Sequence, residues 1–163
     1  MNRHLLLLIS FVVLNFSLTK SQSPERGIAL PISEQNAIDL EFGYNGCNYL
    51  TVNYDHMFYL KPARFGPAVL LRAGLGDGLK PGYGLIILTE AAYTTGYLTF
   101  VELGAGYNGM TNNGHWQHLP YFLAAFRYRA NSSLSIRLIS RLIVNRSEEV
   151  PLFGMGISIG YTF

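Results

Sequence analysis

From residue 36 onward the chain alternates apolar and polar side chains with a period of two. The stretch GMGISIGYTF shows the pattern in its simplest form. Met155, Ile157, Ile159, Tyr161 and Phe163 fall on one face of an extended strand, and Gly154, Gly156, Ser158, Gly160 and Thr162 on the other. Eight such segments are predicted, at about 36–44, 47–59, 67–76, 83–93, 96–107, 120–129, 133–143 and 153–163, separated by Gly, Asn, Pro and Ser turns. Each has about nine to thirteen residues, the length of a tilted strand crossing a bilayer and longer than the usual soluble strand. No long amphipathic helical pattern competes with them.

The connections also alternate. Thr94-Thr95-Gly96 and Ala130-Asn131-Ser132 read as minimal turns, whereas 108–119 and 144–152 read as long polar loops. Two connections depart from the rule: the one near Asn45-Gly46 is a tight hairpin on the long-loop side, and 60–66 is not minimal on the short-turn side. The expectation is an all-β protein, a closed antiparallel eight-stranded transmembrane β-barrel.

Carrying the last segment's parity through the chain sorts the charges. Asp39, Glu41, Asp55, Arg72, Glu90, Glu102, Arg127, Arg137 and Arg141 fall on the inward face. Opposite them stand Ile38, Leu40, Phe42, Leu50, Val52, Phe122, Phe126, Leu134, Ile136 and Leu138. The third and fifth segments also put Leu70 and Phe100 inside, and the apolar run before Glu90 leaves the fourth segment's parity open. An eight-stranded lumen is wide enough only for side chains to fill it, and unpaired ions there cost several kcal/mol each. The nine are therefore expected to form an interior salt-bridge network that plugs the lumen rather than a conducting pore.

Aromatic residues gather at segment ends: Phe58, Tyr93, Tyr97, Tyr128, Tyr161 and Phe163 toward the short turns, and Tyr44, Tyr49, Tyr83, Tyr107, Tyr121 and Phe153 toward the loops. Two girdles at two lipid interfaces are predicted.

The stretches NAIDLEFGYNGCNYLTVNYDHMF, YLTFVELGAGYNG, LPYFLAAFRYR and GMGISIGYTF resemble the strands of small, largely uncharacterised bacterial outer-membrane β-barrel proteins of the eight-stranded OmpA/OmpX-like type. The resemblance implies place and fold and supplies no reaction. Alternating Ile157, Ile159, Tyr161 and Phe163 are also similar to the C-terminal signature that such barrels present to their assembly machinery.

A charged tip followed by LLLLISFVVLNFSL is the layout of a secretory signal, with cleavage expected after Ser21. The domains expected are 1–21 signal peptide, 22–35 periplasmic N-terminal segment and 36–163 barrel, exported to the outer membrane of a Gram-negative bacterium. Removing the signal leaves ten basic and ten acidic side chains, so no basic stripe for nucleic acid exists. The partners expected are outer-membrane lipids, lipopolysaccharide and the assembly machinery, with the protein a monomer. The single cysteine, Cys47, is expected to be packed away.

Candidate chemistry is sparse. His115 and His118, in the expected loop 108–119, lack a third ligand of the usual kind, so no metal and no cofactor are expected. His56 falls on the lipid side and reads as structural. Ser147 and Glu148 of the last loop could meet His115 or His118 as nucleophile, acid and base of a lipid-modifying enzyme, yet no spacing demands it. The sequons at Asn131 and Asn145 carry no implication for a bacterial envelope protein. The reading is a non-enzymatic barrel serving envelope structure or surface interaction. A lipid A or phospholipid modifying barrel and a soluble barrel binding an apolar ligand remain as alternatives.

Overall fold

Period-two alternation becomes eight strands in the computed structural model, which describes residues 35–60, 67–96, 99–130, 133–144 and 151–163. They are β1 (Asn36–Tyr44), β2 (Asn48–Tyr59), β3 (Ala68–Gly78), β4 (Tyr83–Gly96), β5 (Thr99–Asn112), β6 (His115–Arg129), β7 (Leu134–Ile143) and β8 (Leu152–Thr162). Each pairs antiparallel with its neighbour in chain order, and β8 returns to β1 to close the barrel. The closing seam runs from Ala37 opposite Thr162 to Tyr44 opposite Met155. Closure leaves no strand edge along the seam, which is what a barrel in an apolar medium requires.

The expected signal peptide and most of the segment after it, the link at 61–66, Tyr97, Asn131 and the last loop with Ser147, Glu148 and Asn145 lie outside the described residues.

Two expected connections are strand instead. The segment 108–119 is no loop: β5 and β6 stay paired up to Asn112 opposite His115. The turn between them is Asn113-Gly114, with φ of 49° and 79°. Two successive left-handed residues make the tight hairpin whose twist matches that of the strands, and Asn-Gly is its strongest signal. Polar neighbours hid it, because alternation fades where neither face is buried. Thr94-Thr95-Gly96 likewise belongs to β4, with Thr94 opposite Glu102 and Gly96 opposite Phe100. The β5–β6 hairpin projects past β7, which ends at Ile143 opposite Tyr121.

The two faces are sorted inside out relative to a soluble protein. Leu40, Phe42, Val101, Leu103, Phe122, Phe126, Leu138, Phe153, Ile157 and Ile159 are exposed, while the nine inward charges are buried. The interior is not uniformly polar. Cys47, Met57, Leu70, Ile86, Met110, Leu119, Leu123, Ile139 and Ile143 form an apolar cluster within it.

Among the described aromatics, Phe58, Tyr93, Tyr128, Tyr161 and Phe163 are exposed at the short-turn end, and Tyr44 and Phe153 at the other. Tyr49 and Tyr121 are not part of a girdle: both are fully buried. They share a face with Thr51 and Asp55 in β2 and with Arg127 in β6, so strand parity sends them inward whatever their distance from the strand end. Tyr83 packs against the interior cluster rather than outward.

Candidate functional site

Seven strands direct a charge into the barrel. Asp39 and Glu41 come from β1, Asp55 from β2, Arg72 from β3, Glu90 from β4, Glu102 from β5, Arg127 from β6, and Arg137 and Arg141 from β7.

The contacts trace a closed circuit. Arg72 Nε meets Asp55 at 2.6 Å, and the other Asp55 oxygen meets Arg127 at 2.6 Å. Arg127 Nε donates to Glu102 at 2.7 Å, which accepts from Arg137 Nε at 2.8 Å. Arg137 continues to Glu90 at 2.9 Å, and Glu90 to Arg141 at 2.5 Å. Arg141 donates to Glu41 at 2.7 Å, and Glu41 accepts from Arg72 at 2.8 Å to complete the ring. Charge alternates in sign at every step, and Asp39 hangs from Arg72 at 2.9 Å. Each guanidinium uses its rigid fork to hold two or more carboxylates, a geometry that lysine lacks. Desolvation of so many ions is offset only because every charge has an opposite neighbour.

Two tyrosines brace the ring. Tyr49 donates to Glu41 at 2.6 Å, and Tyr121 donates to Glu90 at 3.0 Å. Arg141 lies between them, bonded to the Tyr49 hydroxyl and 5.1 Å from the centre of the Tyr121 ring. Tyr49 crosses Gly43 and Tyr121 crosses Gly106, so closely that a β-carbon at either glycine would collide with the ring. β8 contributes room: a β-carbon at Gly156 would stand 3.3 Å from Glu41. Ser158 of the same strand donates to Asp39 at 3.2 Å. Parity assigns the charges inward from the sequence, whereas Tyr49 and Tyr121 were expected in a lipid-facing girdle, and their bracing role has no signal in the sequence.

Other inward groups lie off the ring. Arg129 contacts Met57 Sδ at 3.1 Å and lies 5.2 Å from the Phe100 ring centre. The buried amides of Asn53 and Asn108 have no protein partner among the described residues. Cys47 is packed against Met110, sulfur to sulfur 3.5 Å.

His115 and His118 do not meet. They lie on the strand β6 rather than a loop, three residues apart, and a spacing of three on a strand puts side chains on opposite faces. His118 is instead joined to Tyr107, ring nitrogen Nδ1 to hydroxyl at 2.5 Å. Trp116 Nε1 donates to that same hydroxyl at 3.2 Å. No cluster of three metal-ligating side chains occurs among the described residues. His56 lies 2.7 Å from Asn36 Oδ1, which also accepts from Tyr54 at 2.6 Å, beside the closing seam.

No protein-family model matches the sequence, and no curated protein matches it. Among solved structures, the chain is similar to the N-terminal β-barrel domain of Pseudomonas aeruginosa OprF, with 13% identity and a TM-score of 0.59 over 80% of this chain and 98% of that one. The Yersinia pestis outer membrane protein Ail matches at 11% identity and a TM-score of 0.45, over 78% of this chain and 98% of that one. At such identity the likeness to the OprF barrel is one of fold. On that level the resemblance to small eight-stranded OmpA/OmpX-like barrels holds.

Proposed function

We propose that this protein is a non-enzymatic barrel of a Gram-negative outer membrane, with a plugged interior, serving envelope structure or surface interaction. The observation that carries the reading is the inverted sorting of side chains: large apolar residues cover the outer wall while ionised ones are enclosed. In water an apolar surface of that extent drives association; against acyl chains it is the favourable arrangement. Residues 1–21 supply the export signal in this reading, and Ile157, Ile159, Tyr161 and Phe163 the stripe offered to the assembly machinery.

The ring supports a plug. Its members reach across the lumen from seven strands, and opening a pathway would require separating several buried ion pairs together. For the lipid-modifying alternative, His115 and His118 face apart on β6, and its Ser147 and Glu148 lie outside the described residues. A soluble carrier would need the reverse sorting of faces.

Fractionation tests the proposal. The protein is expected in isolated outer membranes, to need detergent for extraction, and to migrate differently on a gel before and after boiling. Recovery in the soluble periplasmic fraction with one migration position would sink it.

A further inference from the structure

We infer that the outward face of the β5–β6 hairpin is a sugar-stacking site for the headgroup of a membrane glycolipid. The inference rests on the proposal that the barrel sits in a bilayer with its apolar wall in lipid.

Three observations converge. First, Trp116 and Tyr107 form a built platform. The indole lies across Gly109, where an added β-carbon would collide with its ring and stand 3.1 Å from Tyr107 Cε1. Glycine there lets both rings lie against the ribbon, so an aromatic surface is presented outward with little freedom left to lose on binding.

Second, the polar tips are already engaged with each other. Trp116 donates to the Tyr107 oxygen at 3.2 Å, and the Tyr107 hydroxyl lies 2.5 Å from His118 Nδ1. With the Tyr107 O–H donating in that contact, the imidazole proton stands on Nε2, on an exposed ring beside the platform. An apolar plane next to one outward donor suits the face of a pyranose ring and its hydroxyl or phosphate substituents.

Third, the platform continues into the most exposed part of the apolar wall. Just below it on the same strands and face lie Leu103, 60% exposed, and Phe122, 62% exposed, the highest values among the exposed large apolar side chains. A sugar stacked on Trp116 therefore has its anchor point on the same outward strip as a surface fit for acyl chains. That continuity selects a lipid-borne sugar over a soluble glycan.

Trp116 is the only tryptophan in the chain, so its fluorescence reports on the site directly. The full barrel is inserted into phosphatidylcholine vesicles with and without lipopolysaccharide, and the emission is compared. A saturable shift in emission is expected only with lipopolysaccharide, and none with its deacylated, soluble oligosaccharide at equal sugar concentration. Gly109→Val, which keeps the tryptophan but displaces it, is expected to abolish saturation, and His118→Ala to weaken it by about tenfold. Both variants should keep the heat-dependent gel shift, because both positions face outward on a ribbon that stays paired with β4 and lies beyond the end of β7. Equal emission in the two vesicles, or an equal response to the soluble oligosaccharide, would overturn the inference. Failure of the wild-type chain to enter either vesicle would overturn the membrane reading beneath it.

Discussion

Gly160 and Asp39 face each other across the seam that closes the barrel, and a β-carbon at Gly160 would stand 2.6 Å from an Asp39 carboxylate oxygen. The same β-carbon would be 2.6 Å from the Ile38 carbonyl, which is backbone and cannot swing away. Glycine therefore alternates with bulky residues in β8 because the inward side is occupied by the ring and its hanging aspartate. Gly160→Val is expected to destabilise the barrel by about 1–3 kcal/mol through overpacking. Urea unfolding in detergent, followed by the gel shift, measures it; an unchanged midpoint would show that the seam has slack.

Arg72 holds Asp39, Glu41 and Asp55 at once. Arg72→Met strands Asp39 away from water and leaves Glu41 and Asp55 with one arginine each, with an expected loss of about 3–5 kcal/mol. Adding Asp39→Asn removes one uncompensated charge, so the double variant should recover part of that loss. Equal midpoints for single and double variants would mean that Asp39 does not depend on Arg72.

Tyrosine position divides into two classes. Tyr121→Phe removes a buried hydrogen bond to Glu90 and should cost about 1.5–3 kcal/mol. Tyr128→Phe, on the exposed face of the same strand, should change the unfolding midpoint little. Similar effects at both sites would contradict the inward placement of Tyr121.

Gly114 occupies φ 79° in the β5–β6 turn. Gly114→Val forces a β-branched residue into the left-handed region and is expected to cost about 1 kcal/mol or more. The barrel below should still form, and near-normal heat-modifiable migration with a lowered urea midpoint would be the signature.

Cys47 is 2% exposed and belongs to the turn between β1 and β2, packed inward. Burial pushes its thiol up from the ordinary range, with Lys80 opposing in part, so at neutral pH the thiolate is scarce. A water-soluble maleimide is expected to label it slowly in the folded protein and rapidly after unfolding. Rapid labelling of the folded form would place the thiol at the surface.

Much was legible from the chain because a strand has a rigid periodicity. Charges in the inner half of each two-residue repeat can face only one way, so parity alone placed Asp39, Glu41, Asp55, Arg127, Arg137 and Arg141 together, and the same rule applied to Tyr49 and Tyr121 outweighs their nearness to strand ends. Alternation weakened at the β5–β6 hairpin, where both faces are polar. There Asn113-Gly114 was the remaining signal, and reading it would have put His115 and His118 on opposite faces from the start.

Face and strand order were thus determined by the sequence, through the two-residue period of the backbone. Which arginine meets which carboxylate was decided by tertiary structure, because those partners lie up to 100 residues apart along the chain, as Glu41 and Arg141 do. Strand stagger and closure set their heights, and side-chain reach then completes the ring. The joining of Tyr107, Trp116 and His118 over Gly109 has the same origin: it depends on cross-strand register, which only the paired ribbon establishes.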